Sequence, residues 1–124
     1  MTNNTPSENS PRPPEDDPLF GRMNDPTAAA VIKGGCGDEM EFYLYIQNDR
    51  IVDIRYYTEG CDNTRASAQA VARRAKGLAI TDALAISAGD IIRSGECDPA
   101  AGRHCAILAV TTFYRAVADY LLMP

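Results

Sequence analysis

The sequence has no run of apolar residues long enough to cross a bilayer, and none near its N-terminus of the kind that opens a secretory signal. A soluble, cytoplasmic protein is the expectation. A basic excess is also missing: 12 Lys and Arg stand against 17 Asp and Glu, for a formal net charge of −5. With no basic stripe, the usual electrostatic footprint of nucleic-acid binding is absent. There is no C-x-x-C pair, so neither a thioredoxin-type redox motif nor a zinc ribbon is supported. Internal repeats are absent, and histidine is represented by His104 alone. What the chain does have is 124 residues, 45% of them hydrophobic, enough for one domain with a core. It also has four cysteines. In a reducing compartment these point to metal binding or redox chemistry rather than disulfides, with burial as small hydrophobes as the competing explanation.

Five of the eight prolines fall in residues 1–18, which carry almost no apolar side chain. Such a segment cannot bury enough surface to offset its ordering entropy, so 1–18 is expected to be a disordered tail and 19–124 the domain. Leu19-Phe20 is the first apolar pair and the expected docking point. Thr27–Lys33 ends in two glycines and reads as an edge strand. In Glu39–Gln47, Met40, Phe42, Leu44 and Ile46 alternate with polar residues and tyrosines, the period of a strand with one buried face. Ile51–Glu59 repeats the pattern, with Val52, Ile54, Tyr56 and Thr58 on one face. Residues opposite each other in a hairpin share a face, and a two-residue Asn48-Asp49 loop sets Leu44 against Asp53. A three-residue loop, with a bulge, is therefore predicted.

Asp62 or Asn63 is the predicted N-cap of an alanine-rich helix over Thr64–Lys76, closed by Gly77. Thr81–Ala85 predicts a short turn, and Ser87 with Asp90 a capping box before Ile91-Ile92. A last helix is predicted from about Arg103 to Leu122, with Ile107, Val110, Thr111, Tyr114, Val117, Ala118 and Leu121 on its packed face. Strands first and helices after give an α+β fold: a small three-stranded antiparallel sheet with helices packed on one face.

Chemistry concentrates in Gly34-Gly35-Cys36-Gly37-Asp38, where a thiol and a carboxylate lie among glycines expected to keep the loop mobile until something binds. Cys61 precedes one predicted helix and Cys105 opens another. Free N–H groups and the helix dipole favour an anion there, so both thiols are expected to be acidified. The hairpin returns Cys61 to the sheet end that carries Cys36. Cys105 joins them only if the last helix starts at that end. Asp38 can be an oxygen ligand or a solvated turn residue, and His104 a ligand or a surface residue. Cys97, between Glu96 and Asp98, reads as structural or incidental.

Gly21-Arg22-Met23-Asn24-Asp25-Pro26, Cys36-Gly37-Asp38, Gly60-Cys61 and His104-Cys105 stand in an order and spacing that resemble the U-type iron–sulfur cluster assembly scaffolds, the family of the NifU N-terminal domain and IscU. The resemblance runs from about residue 20 to residue 122. It implies a scaffold, not a turnover enzyme, that binds iron and persulfide-derived sulfur and builds a transient [2Fe–2S] cluster. Cys36, Cys61 and Cys105 are the implied ligands, with Asp38 tuning lability, His104 within ligating reach and Cys105 accepting persulfide sulfur. Zinc is implied as an occupant of the cluster-free form. The implied partners are a cysteine desulfurase and apo-proteins that receive the cluster.

Two departures stand out. The family's Leu-Pro-Pro-Val-Lys segment before the His-Cys pair is replaced here by Cys97 to Arg103, which puts release by an Hsp70-type chaperone in doubt. Asp62-Asn63-Thr64-Arg65 stands where the family has small residues. The alternative reading is a zinc-binding or interaction protein that keeps the fold without assembling clusters. A cysteine-dependent enzyme is the weakest reading, because no base or oxyanion motif accompanies the thiols.

Overall fold

Alternation of side chains decides the sheet. In the computed structural model, which describes residues 17–34, 38–100 and 102–124, β1 spans Ala28–Lys33, β2 Glu39–Gln47 and β3 Arg50–Thr58. They form one antiparallel sheet in the order β1-β2-β3. Met40, Phe42, Leu44 and Ile46 of β2 are buried on one face, as their period requires.

The hairpin sets a buried residue against a buried one as predicted, Leu44 opposite Ile54, by a different device. The loop is the two-residue Asn48-Asp49 turn, with φ of 53° and 57°, and a bulge between Tyr45 and Ile46 absorbs the parity mismatch. Below the bulge Ile46 faces Ile51, which is fully buried, and Val52 turns outward at 41% exposure. The predicted inward Val52 and three-residue loop are thus corrected by one extra residue in β3.

Among the described residues four helices follow: α1 Asp62–Ala75, α2 Ile80–Ala83, α3 Ala88–Arg93 and α4 Arg103–Leu121. The Ser87/Asp90 capping box opens α3 as predicted. Gly77, with φ of 87°, follows the C-cap of α1. The N-cap of α1 is Cys61 rather than Asp62 or Asn63, and Asp62 instead pairs with Arg65 one turn on.

Helix α4 lies on β1 and β2, and α1 packs on β3 and α4. The buried residues of α4 are Cys105, Ala106, Ala109, Val110, Thr112, Phe113, Ala116 and Val117, whereas Ile107 and Leu121 are more than half exposed. Of the predicted face, Val110 and Val117 are buried and Tyr114 packs against the core, while Ile107, Thr111 and Leu121 are corrected to exposed positions. Ala106, Ala109 and Ala116 keep much of the buried side of the helix small, and Phe113 packs edge-on to Phe42 of β2 at 5.9 Å.

The predicted tail lies outside the described residues except for Asp17 and Pro18. Asp17 is buried, and its carboxylate accepts hydrogen bonds from Tyr56, Gln69 and the Leu19 N–H. Leu19 docks as predicted: residues 19–21 bond along the free edge of β3, with Tyr56 N–H to Leu19 O at 3.0 Å and Gly21 N–H to Tyr56 O at 2.8 Å. This short strap covers part of an edge that would otherwise offer unpaired backbone groups. No described helix is long and apolar enough to cross a membrane.

Candidate metal centre

Three chain segments meet at the end of the sheet where β2 begins and β3 ends. The register pairs Met40 with Thr58, so Asp38 and Gly60 lie two residues further along each strand's path. They approach so closely that a Cβ on Gly60 would sit 2.9 Å from Asp38 Cγ and 3.0 Å from Thr64 Cβ. Only glycine leaves that space open. Arg65 braces the turn, donating to Gly60 O at 2.6 Å and pairing with Asp62.

Cys61 then caps α1, and Cys105 lies in the first turn of α4. One oxygen of Asp38 and the Sγ atoms of Cys61 and Cys105 all lie within 4.8 Å of one another, and among the described residues this is the one such cluster. Thiolates held about 2.3 Å from a common ion in a tetrahedral site sit about 3.8 Å apart, so the three groups have to close by about 1 Å at most to share one ion. Two thiols and a carboxylate suit zinc or iron.

The residue at the middle of this cluster is Thr64, which sequence reasoning places only among the departures from the family pattern. It is fully buried. Its hydroxyl donates to Asp38 Oδ2 at 2.6 Å and lies 3.4 Å from both Cys61 Sγ and Cys105 Sγ. A polar residue three positions after a cysteine gives no pattern that marks it out in advance.

The two thiols differ. With the Thr64 hydroxyl proton given to Asp38, the Thr64 and Asn63 N–H groups at the start of α1 lower the Cys61 thiol below its ordinary range, as predicted. Burial pushes the Cys105 thiol up instead, and the neighbouring Cys61 and Asp38 add to the rise. The acidification expected for Cys105 is thus reversed, because a helix start does not offset enclosure at 1% exposure.

His104 is exposed, and its Nε2 lies 3.6 Å from Cys105 Sγ, beside the cluster rather than within it. Cys97 is buried in the core, in keeping with a structural role. Cys36 and the centre of the glycine loop lie outside the described residues. The loop's two ends are joined by Gly34 N–H donating to Asp38 O at 2.6 Å.

A polar cleft of about 360 Å³ adjoins the centre, lined by Arg22, Lys33, Asp38, Glu39, Glu41 and Gly60 among others. Arg22 holds Glu41 through two hydrogen bonds of 2.8 and 3.0 Å and lies 4.0 Å over the Tyr57 ring. The pairing with Arg22, joined by Tyr43, keeps the Glu41 carboxyl below its usual range despite its burial. Arg22 therefore ties the segment before β1 to the outer side of the sheet.

A family profile described as the NifU-like N terminal domain matches residues 15–123. The chain is 33% identical over 97 residues to "Iron sulfur cluster assembly protein 1" of Trachipleistophora hominis, covering 78% of this chain and 70% of that protein. It is 34% identical over 85 residues to "Iron-sulfur cluster assembly scaffold protein IscU 1" of Archaeoglobus fulgidus, covering 68% of this chain but only 56% of that protein. Among solved structures, the N-terminal part of a nitrogen-fixing NifU-like protein from Brucella abortus superposes with a TM-score of 0.70 over 90% of each chain, at 16% identity. That likeness establishes the α+β architecture.

Proposed function

Because the chain belongs to the NifU-like N-terminal domain family, we propose that it is an iron–sulfur cluster assembly scaffold: it gathers iron and sulfur, builds a [2Fe–2S] cluster as cargo and passes it to apo-proteins. The observation that carries this reading is the convergence of Asp38, Cys61 and Cys105 within 4.8 Å at the sheet end. In this reading Cys36, Cys61 and Cys105 supply thiolates, and Asp38, with His104 adjacent, supplies a weaker position. Three thiolates and a weaker ligand hold a cluster less firmly than four cysteines, which suits a protein that gives its cluster away. Zinc fits the same donors when no cluster is present. The protein turns over no substrate of its own.

Sulfur arrives, in this proposal, from a cysteine desulfurase as persulfide. Cys105 is almost wholly enclosed whereas Cys61 is exposed, so a donor that loads Cys105 has to open the centre. The segment before α4 lacks the Leu-Pro-Pro-Val-Lys sequence, and here Gly102 N–H instead closes a turn on Asp98 O at 2.7 Å. In this reading the acceptor proteins draw the cluster off, and release by an Hsp70-type chaperone stays in doubt.

Anaerobic reconstitution with ferrous iron, cysteine and a desulfurase tests it. The expected result is a sulfide-dependent visible absorption that Cys36→Ser, Cys61→Ser and Cys105→Ser each diminish. No such absorption in the wild-type chain, or absorption indifferent to all three substitutions, rejects the scaffold reading.

A further inference from the structure

We infer that Thr64 is the positioning residue of the metal centre: its buried hydroxyl holds the Asp38 carboxylate in the orientation in which carboxylate and thiols face a common ion. This rests on the reading of Asp38, Cys61 and Cys105 as metal-holding groups.

A hydroxyl has one proton to donate and two lone pairs. Thr64 uses all three directions on the cluster. Its proton goes to Asp38 Oδ2 at 2.6 Å, and its lone pairs are within reach of the two thiols at 3.4 Å each. In the metal-free protein the hydroxyl therefore gathers all three groups around itself. When a metal binds, the cysteines lose the protons with which they donate. The bond to Asp38 survives that change, because a carboxylate still accepts from the hydroxyl through one oxygen while the other faces the metal. Thr64 thus acts on the loaded centre through Asp38. Among the described residues this is the one hydrogen bond donated to that carboxylate.

The surroundings keep the hydroxyl where it is. Thr64 is fully buried in the first turn of α1, and a β-branched side chain in a helix has few rotamers. Gly60 presses from the other side, leaving no room at its own Cα for a side chain between Asp38 and Thr64. Removing a group that orients a metal ligand typically costs about 10- to 100-fold in metal affinity.

The experiment titrates the full chain anaerobically with cobalt(II), followed by its visible ligand-field bands, and repeats the series with zinc in competition. Thr64→Val keeps the shape and removes the hydroxyl, and circular dichroism checks its folding. It is expected to bind about 10- to 100-fold more weakly, with bands shifted toward those of Asp38→Ala. Thr64→Ser, which keeps the hydroxyl, is expected to restore both affinity and spectrum. In an Asp38→Ala background, Thr64→Val is expected to cost little more, because the two residues act as one unit.

Wild-type affinity and bands in Thr64→Val overturn the inference. So does a loss from Thr64→Val that is as large without Asp38 as with it. Should Thr64→Val fail to fold, Thr64→Ala against Thr64→Ser gives the same contrast, and equal affinities in that pair overturn the inference in the same way. A wild-type chain that takes no cobalt overturns the metal-centre reading and this inference with it. A wild-type chain that takes cobalt but builds no cluster rejects only the scaffold reading, and the titrations still decide the role of Thr64.

Discussion

Cys61 and Cys105 are the same residue type at the start of two helices, and their surroundings drive them apart. Cys61 is exposed, with its thiol lowered by the free N–H groups of Thr64 and Asn63 at the start of α1. Cys105 is enclosed and its thiol raised by burial beside Cys61 and Asp38. Alkylation of the metal-free protein followed by peptide mass mapping is therefore expected to label Cys61 before Cys105, by about tenfold or more near neutral pH. The midpoint of Cys61 labelling with pH is expected below the ordinary thiol range and that of Cys105 above it. Equal rates for the two would contradict this placement. Gly60 gives a second test. Gly60→Ala pushes a methyl group against Asp38 and Thr64, so cobalt affinity is expected to fall about tenfold or more, the scale seen when a ligand's orienting contacts are lost. The positions of the cysteines and of Asp38 are legible in the sequence. Their ranking is not, because enclosure of Cys105 depends on how α4 seats on α1.

At the scale of elements, parity and periodicity carry most of what the sequence predicts. The pairing of Leu44 with Ile54 follows from matching buried faces. The bulge that achieves it cannot be placed from alternation alone, because an extra residue in β3 satisfies the same rule as a longer loop. Helix α4 shows the opposite failure: its extent follows from its period, but Ala106, Ala109 and Phe113 are buried where Ile107, Thr111 and Leu121 are expected. The strap at residues 17–21 is held by Asp17, whose carboxyl stays below its usual range because hydrogen bonds from Tyr56, Gln69 and Leu19 outweigh its burial. Asp17→Ala leaves the buried Tyr56 hydroxyl without its acceptor and is expected to cost about 1–3 kcal/mol in denaturant unfolding. A carboxyl depressed in the folded state contributes fully above its unfolded value, about 3.9. That contribution is lost as pH falls through the lower folded value. The variant should therefore lose less stability than the wild type between neutral pH and acid, and an unchanged acid limb would count against the role given to Asp17.

For the whole molecule, the centre joins three regions distant in sequence: Asp38 before β2, Cys61 at the start of α1 and Cys105 at the start of α4. A metal bound there clamps the sheet to both helices, and anything that binds only the folded chain stabilises it. Zinc at about a hundred times its dissociation constant is expected to add about 2.7 kcal/mol, read as a rise in melting temperature that a chelator reverses and Cys61→Ser abolishes. By itself the sequence determined the α+β class, the strand and helix order, and the residues able to hold a metal, because those follow from local period and side-chain chemistry. Only the tertiary structure decided that α4 begins at the same sheet end as Cys61. It also decided that Cys105 is enclosed and that the Thr64 hydroxyl sits among all three groups. Distances across separate elements are set by how helices seat on a sheet, and no periodicity along the chain encodes them.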